Sequence, residues 1–515
     1  LHFQVVLVLM TLNKLSLPNK LYTAAQVREL DRITIEEFSI PGITLMESAG
    51  DAAYQLLRSK WPEAENILVL CGPGNNGGDG YILARLAKAD DLAVKLQQVG
   101  DHTKLAGDAL LAAERCTSGG LEPIQVSKED LDEYDVIVDA LLGTGLDRQV
   151  SGQWQEVINA INRCHTPVLS LDIPSGLNAD MGQVMGCAVN ADATISFIGL
   201  KQGLFTGQGV EYAGDLHFNN LDIPDEVGIK VNSMTEQITL DDLQSFLLPR
   251  SKSSHKGNFG HVLVVGGECG FAGAARLCAE AAARTGAGLI SLATHANHAG
   301  YFTMSVPEVM AHAIKNSNEL LPLLEKANVV AVGPGLGQSN WGMSLFSKVL
   351  ESKLPLVVDA DALNLLAQDR ATSDRWVLSP HPGEAARLLN CDGHTIQSDR
   401  IAAARKIQKK FGGVVILKGS GTVIVDGRKD GGQKVSICAA GNPGMASGGM
   451  GDVLTGVIAG LIAQRVSLGL DIGDAARLGV CLHASAGDNA AADGERGMLA
   501  SDLMPWIRKL LNVSA

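Results

Sequence analysis

The chain has 515 residues, with 42 Lys+Arg against 56 Asp+Glu for a net charge of −14, 58 Gly, 46% hydrophobic residues and 4% aromatics. At roughly 150 residues per domain this length suggests about two to four domains, excludes a small disulfide scaffold, and with so much Gly describes a globular α/β protein rather than a disordered chain. The acidic balance repels polyphosphate backbones, so nucleic acid is not an expected partner.

Nine Cys are scattered singly, without a C-x-x-C pair, which points to a reducing, cytoplasmic setting. The apolar run at 5–10 is far short of the roughly 20 residues of a membrane span and lacks a basic flank, so no membrane association is expected. Residues 1–21 are set aside as a tail, those before Met10 as upstream sequence.

Thr23 is placed to N-cap a helix running to about Phe38, and Pro41-Gly42 separates it from a second helix through Leu57. An apolar run at 67–70, a Gly-rich turn, a helix over 81–88 and a β-like run at 93–99 make a βαβ unit. The alternation continues through 136–138, a helix over 154–162 and the run 168–171, which predicts a Rossmann-like, doubly wound parallel sheet. It pauses over 219–256, and the domain boundary is set near Met234, giving domains of 22–233 and 234–515. A second βα series follows: 261–265, Gly266-Gly267, an Ala-rich helix over 272–285, then apolar runs at 289–292, 329–332, 356–358 and 414–417.

In the first half, residues 72–80 (GPGNNGGDG) contain G-x-G-x-x-G between a strand and a helix, the context in which bare glycines and a helix N-terminus receive phosphate. A plain tight turn is the alternative, but Asn75, Asn76 and Asp79 put three polar side chains at its tip. Two more strand ends carry 138–145 (VDALLGTG) and 171–176 (LDIPSG). Carboxyl ends of neighbouring parallel strands converge on one crevice, so Asn76, Asp139, Asp172 and Ser175 are expected together. Their oxygens suit a hard cation or a proton-accepting carboxylate; simple capping of backbone N–H groups is the alternative for either acid.

These three motifs, in this order, resemble the NAD(P)H-hydrate epimerase domain over most of 22–218. The resemblance implies that Asn75, Asn76, Gly77, Gly78, Asp79, Gly143, Thr144, Gly145, Leu146, Asp147, Arg148, Gln149 and Asp172 bind hydrated nicotinamide nucleotide. It also implies that Asn76, Asp139 and Ser175 hold a potassium ion and that Asp172 is the candidate base.

In the second half, 333–337 (GPGLG), 381–384 (HPGE) and 418–422 (KGSGT) are further strand-end loops. The strongest signal is 441–452 (GNPGMASGGMGD), running straight into an apolar helix over 453–462. A glycine-dense turn at a helix N-terminus forms an anion hole, and Asp452 stands where it could take a proton from a hydroxyl attacking a phosphoryl group; the alternative is a favourable first-turn acid. No G-x-x-x-x-G-K-[ST] occurs, which excludes a P-loop NTPase. His295 and His298, an H-x-x-H without a nearby Glu, are read as solvated or capping residues.

From about 240 to 511 this set resembles the NAD(P)H-hydrate dehydratase branch of the ribokinase-like superfamily. By that resemblance Ala274, Gly337, His381 and Asp452 touch the hydrated nucleotide, and Lys418, Gly419, Ser420, Gly421, Thr422 and Gly451 hold ADP. Magnesium is implied by the phosphoryl chemistry; Asp359 and Asp361 belong either to that region or to a structural strand end. The expected protein is a homo-oligomeric α/β enzyme that epimerises the R and S hydrates of NADH and NADPH and dehydrates the S form at the expense of ADP, with ATP as the other donor. The competing reading is an ATP-dependent kinase of a small alcohol, such as a hydroxymethylpyrimidine, fused to a nucleotide-binding module.

Overall fold

The computed structural model describes residues 17–125, 130–369, 371–427 and 431–512. The chain forms two compact units: one holds the residues up to Leu204 together with Gln208–Glu236, the other Phe205–Gly207 and Gln237 onward.

In the first unit the strands are β1 (Lys20–Tyr22), β2 (Asn66–Cys71), β3 (Ala93–Gln98), β4 (Ile124–Gln125), β5 (Val136–Ala140), β6 (Val168–Leu171), β7 (Ala193–Phe197), β8 (Leu200–Lys201) and β9 (Asp215–Asn219). Seven of them form a parallel sheet in the order β4-β3-β2-β5-β6-β7-β9. β2, β5 and β6 are buried along nearly their whole length, as a sheet covered on both faces requires. The order reverses between β2 and β5, where doubly wound sheets open a crevice at their carboxyl ends. Thr23 caps the Ala24–Glu36 helix in a capping box with Gln26, as its position in the sequence suggests.

Two expectations are corrected here. The segment 1–21 is not a tail throughout: Leu21 is fully buried, and β1 pairs with β8 and with Thr235 and Glu236. The apolar run at 5–10 lies outside the described residues. The second correction concerns the Gly-rich turn, which is helix from Asn75 onward, with Gly74 as N-cap. Gly is a poor helix former, but packing decides: a Cβ on Gly77 would lie 2.0 Å from the Gly72 carbonyl oxygen, and one on Gly80 2.6 Å from Ala140 Cβ.

The second unit carries β11 (His261–Val265), β12 (Leu289–His295), β13 (Met310–Ile314), β14 (Val329–Val332), β15 (Leu356–Val358), β16 (Trp376–Leu378), β17 (Val414–Leu417), β18 (Thr422–Gly427) and β19 (Gln433–Cys438), which follow β10 (Thr235–Gln237) in the chain. Their order is β13-β12-β11-β14-β15-β16-β17-β18-β19, parallel as far as β17 and antiparallel after it. The reversal between β11 and β14 opens the second crevice. Over it runs the Met450–Ala463 helix, buried at twelve positions because it is apolar almost all round. It begins three residues before the predicted start, with Gly449 as N-cap at φ +93°, a conformation that suits glycine.

Candidate functional sites

In the first unit Asn75, Asn76, Asp79, all of 143–149 and Asp172 line one cavity of about 770 Å³. Gly77, Gly78, Asp139 and Ser175 lie buried behind it. Asp139 is fully buried; its Oδ1 accepts from Ser175 Oγ at 2.6 Å, and its Oδ2 accepts from Ser170 Oγ at 2.8 Å and Ser175 N at 2.9 Å. Burial pushes its pKa up, and the surrounding hydrogen bonds only partly offset that. Among the described residues the buried Asn76 side chain has neither Oδ1 nor Nδ2 hydrogen-bonded. An unbonded amide oxygen, a buried carboxylate and a hydroxyl are the hard oxygen donors that suit an alkali cation.

Asp172 stands just past β6 at φ +64°, and the Ile173 N–H donates to the Leu171 carbonyl at 2.7 Å, closing a strained γ-turn around it. The turn projects the carboxylate into the cavity, where Lys201 Nζ, itself fully buried, donates to Asp172 Oδ1. Lys201 also donates to Ser196 Oγ and to the Phe197 carbonyl, both at 3.0 Å. Asp31 and Asp79 add two further carboxyl groups to the lining. Burial, then the Asp172 charge, pushes Asp31 up to about 6, and the same two causes in the same order push Asp79 well up.

In the second unit Asp359, at the end of β15, is the hub. Lys418 Nζ donates to its Oδ1 at 2.6 Å and Thr455 Oγ1 to its Oδ2 at 2.8 Å. Glu384 Oε2 lies 3.9 Å from Lys418 Nζ, and His381 caps the Pro382–Leu389 helix in a capping box with Glu384. A Cβ on Gly451 would sit 3.2 Å from Lys418 Nζ, so the glycine lets the helix start approach the ammonium. Burial alone would pull Lys418 down; Asp359 and then Glu384 outweigh it and leave it raised. Asp452, in the first turn of the Met450–Ala463 helix, is pushed to about 7 by burial and then by the Asp359 charge, against the pull of Lys418. Glu384 rises to about 7, mainly through burial.

The other side of this crevice is built by the loops after β11 and β14. The Gly337 N–H donates to Asp361 Oδ2 at 2.9 Å, and Ser339 Oγ donates to Glu268 Oε1 at 2.5 Å. Ala274 lies in the first turn of the Ala272–Arg284 helix, its Cβ 3.3 Å from where a Gly335 Cβ would be. Lys418, Gly451, His381 and Asp452 thus gather around Asp359, while Ala274 and Gly337 belong to the β11–β14 side. Thr422 begins β18, and Gly419 and Ser420 are exposed. His298 accepts from the Gly270 N–H at 3.3 Å, a capping role, and among the described residues no group of three or more His, Cys, Asp or Glu could hold a metal ion.

Two family models match the chain: one described as NAD(P)H-hydrate dehydratase over residues 262–509, the other as YjeF-related protein N-terminus over residues 42–203. The bifunctional NAD(P)H-hydrate repair enzyme Nnr of Coxiella burnetii is 46% identical over 493 residues, which cover 96% of this chain and 99% of the relative. This chain belongs to the bifunctional NAD(P)H-hydrate repair enzymes. The Escherichia coli K12 member is 41% identical over 501 residues, 97% of this chain and 95% of its own. Among solved structures, the ADP/ATP-dependent NAD(P)H-hydrate dehydratase of Bacillus subtilis co-crystallised with ATP/Mg2+ is 26% identical, covering 53% of this chain and 96% of that one with a TM-score of 0.46.

As a bifunctional NAD(P)H-hydrate repair enzyme the chain combines NAD(P)H-hydrate epimerase and NAD(P)H-hydrate dehydratase activities. Three of its polar residues at these sites escape a motif reading. Lys201 and Asp31 are single charges whose partner Asp172 is distant in the chain, although a lone Lys amid the apolar residues 195–205 is a detectable oddity. Thr455 is hidden inside an apolar helix, whereas Glu384 falls within the 381–384 motif and closes a capping box there.

Proposed function

We propose that Asp172 is the proton acceptor of the epimerase site and Asp452 that of the dehydratase site. The hydrate carries its hydroxyl on C6 of the nicotinamide ring, next to the ring nitrogen, so taking the hydroxyl proton lets the C6–N1 bond break to an aldehyde with its electron pair delocalised from N1 into the conjugated carboxamide; reclosure of N1 on the other face re-forms the bond, and the proton returns to the oxygen of the opposite epimer. Asp172 stands in the cavity with its Oδ1 bonded to the buried Lys201 ammonium, and its strained turn holds it there before substrate arrives. Asn75, Asn76, Asp79 and residues 143–149 supply the walls that bind the nucleotide. The orphaned Asn76 amide and the buried Asp139 and Ser175 oxygens fit potassium, which would supply the positive charge that Asp139 otherwise lacks.

In the dehydratase site Asp452 takes the C6 hydroxyl proton as that oxygen attacks the terminal phosphoryl group of ADP; an O–P bond forms, the anhydride bond breaks and AMP leaves. Loss of phosphate from C6 with a proton from C5 then restores the dihydronicotinamide. The observation that carries this reading is the position of Asp452, in the first turn of a helix whose glycine N-terminus opens beside Lys418. We assign Ala274, Gly337 and His381 to the hydrated nucleotide, and 418–422 with Gly451 to ADP. Magnesium fits as an ion brought in on the nucleotide phosphates, since no three-donor cage exists among the described residues. When bound it would neutralise phosphate charge.

Domains of 22–233 and 234–515, a cytoplasmic setting consistent with nine free cysteines, and a homo-oligomer using exposed apolar side chains such as Tyr301 and Met304 complete the proposal. No described helix is long and apolar enough to cross a membrane. The test is recovery of reduced-nicotinamide absorbance from an R/S mixture of hydrated NADH with magnesium, potassium and either ADP or ATP. Recovery with ADP beyond the S fraction, faster than spontaneous epimerisation allows, supports both assignments. A stall at the S fraction removes the epimerase, and a stable phosphorylated product in place of NADH points to a kinase.

A further inference from the structure

Arg400 opens the Arg400–Phe411 helix, a place where a cation works against the helix dipole, and is 2% exposed. A buried arginine is ordinarily paired with a carboxylate. Among the described residues this one is bonded only to neutral oxygens. Its Nη1 donates to Gln397 Oε1 at 2.9 Å and its Nε to Thr206 Oγ1 at 3.3 Å. Its Nη2 reaches the carbonyls of Leu417 at 3.2 Å, Lys418 at 3.3 Å and Gly421 at 3.5 Å. Burial pulls its pKa down to about 10, so it keeps its charge at neutral pH.

The three carbonyls belong to the loop that leads from β17 into β18. Gly419, at φ +136°, lies directly on the guanidinium: a Cβ there would be 2.9 Å from Nη1 and 3.0 Å from Nη2. Because a peptide unit is planar and trans, turning the Lys418 carbonyl toward Arg400 turns the Gly419 N–H the other way, to the exposed face of the loop. That N–H has no partner among the described residues. One planar fork bonded to several carbonyls fixes the orientation of successive peptides in a way a point charge cannot.

We propose that Arg400 is the positioning residue of the nucleotide loop, holding the carbonyls of Leu417, Lys418 and Gly421 beneath the loop so that the Gly419 amide faces the anionic nucleotide. This rests on the reading of 418–422 as the ADP-binding loop. Arg400 itself does not touch the nucleotide, so its effect is on affinity for ADP rather than on the chemical step.

The test uses the full chain carrying Arg400→Met, Arg400→Lys or Ser420→Trp, with a parental thermal unfolding profile followed by circular dichroism as the check that each variant is folded. For Arg400→Met the KM for ADP is expected to rise at least about tenfold, with kcat within about threefold and the KM for hydrated NADH unchanged; Arg400→Lys, which keeps the charge and loses the fork, falls between it and the parent. An unchanged KM for ADP in folded Arg400→Met, or kcat and both KM values drifting together, overturns the proposal. If the Met variant does not fold, the Lys variant decides alone: a rise confined to the KM for ADP supports the clamp, and parental kinetics overturn it. Ser420→Trp separates the two readings. It blocks the exposed face of the loop, so parental ADP kinetics in that variant overturn the assignment of the loop itself, whereas a raised KM there with a parental Arg400→Met overturns only the clamp.

Discussion

The two sites place their acidic residues by opposite means. In the first unit Asp172 is held in a left-handed, strained turn, with the compensating charge of Lys201 buried directly against it. In the second unit Asp452 lies in an ordinary helical turn, while the Lys418 ammonium bonds to a different acid, Asp359. The glycines differ in the same way. Gly77, Gly78 and Gly80 sit inside a helix and let it press against Gly72, against Met46 and against β2 and β5 respectively, whereas Gly449 and Gly441 adopt positive φ ahead of one. A glycine-rich segment between strand and helix therefore marks a close approach of backbone, and only its φ values and the groups facing it reveal whether that approach serves packing or an anion.

The sharpest way to break this comparison is to remove each acid. Asp452→Asn should lower dehydration by about 10²–10⁴-fold while epimerisation of hydrated NADH continues at the parental rate, and Asp172→Asn should do the reverse. Separate chromatographic assays of R-to-S conversion and of nucleotide-dependent NADH formation measure the two limbs; equal loss of both in either variant would refute two independent sites.

Next in size is the packing role of the first set of glycines. Gly77→Ala drives a methyl to 2.0 Å from the Gly72 carbonyl oxygen, backbone that cannot rotate away, so destabilisation at or above the usual 1–3 kcal/mol of overpacking is expected. Gly74→Ala meets nothing within 4 Å at an unstrained φ of −105°. It should stay within about 1 kcal/mol of the parent, since Ala is a poorer N-cap but stiffens the unfolded chain. Denaturant titration followed by epimerase activity distinguishes them; equal midpoints would mean that these glycines are not there for packing.

Much of the architecture was readable from periodicity, because strands covered on both faces are continuous apolar runs and the helices between them are amphipathic. The Thr23 cap was readable for a local reason, a side chain reaching three residues along its own helix. The start of the helix at Asn75 was not, because intrinsic preference argues against Gly-Gly in a first turn and only contacts with Gly72 and Ala140 reverse that preference. Periodicity lapses near 234 and the two compact units divide between Glu236 and Gln237, but Phe205–Gly207, which belong to the second unit, leave no trace in the pattern. At the sites, motif positions point to Asp172 and Asp452 as candidates, whereas Lys201, Asp31 and Thr455 gain their meaning from neighbours far away in sequence.

The smallest effects concern pH, and they test whether the second acid is tuned by its surroundings. A carboxyl raised to about 7 is only about one-tenth ionised at pH 6, and only the ionised form can accept the substrate proton. Dehydratase kcat/KM should therefore climb about tenfold per pH unit below 7 and level off above it. Burial is the first cause of that raised value and the Asp359 charge the second; Asp361 adds a weaker push in the same direction. Asp361→Asn removes that push while keeping an oxygen to accept the Gly337 N–H, so the midpoint of the profile should move toward acid with the plateau little changed. A midpoint that stays in place, or moves toward base, would show that a different group governs the profile and that Asp452 does not carry the proton.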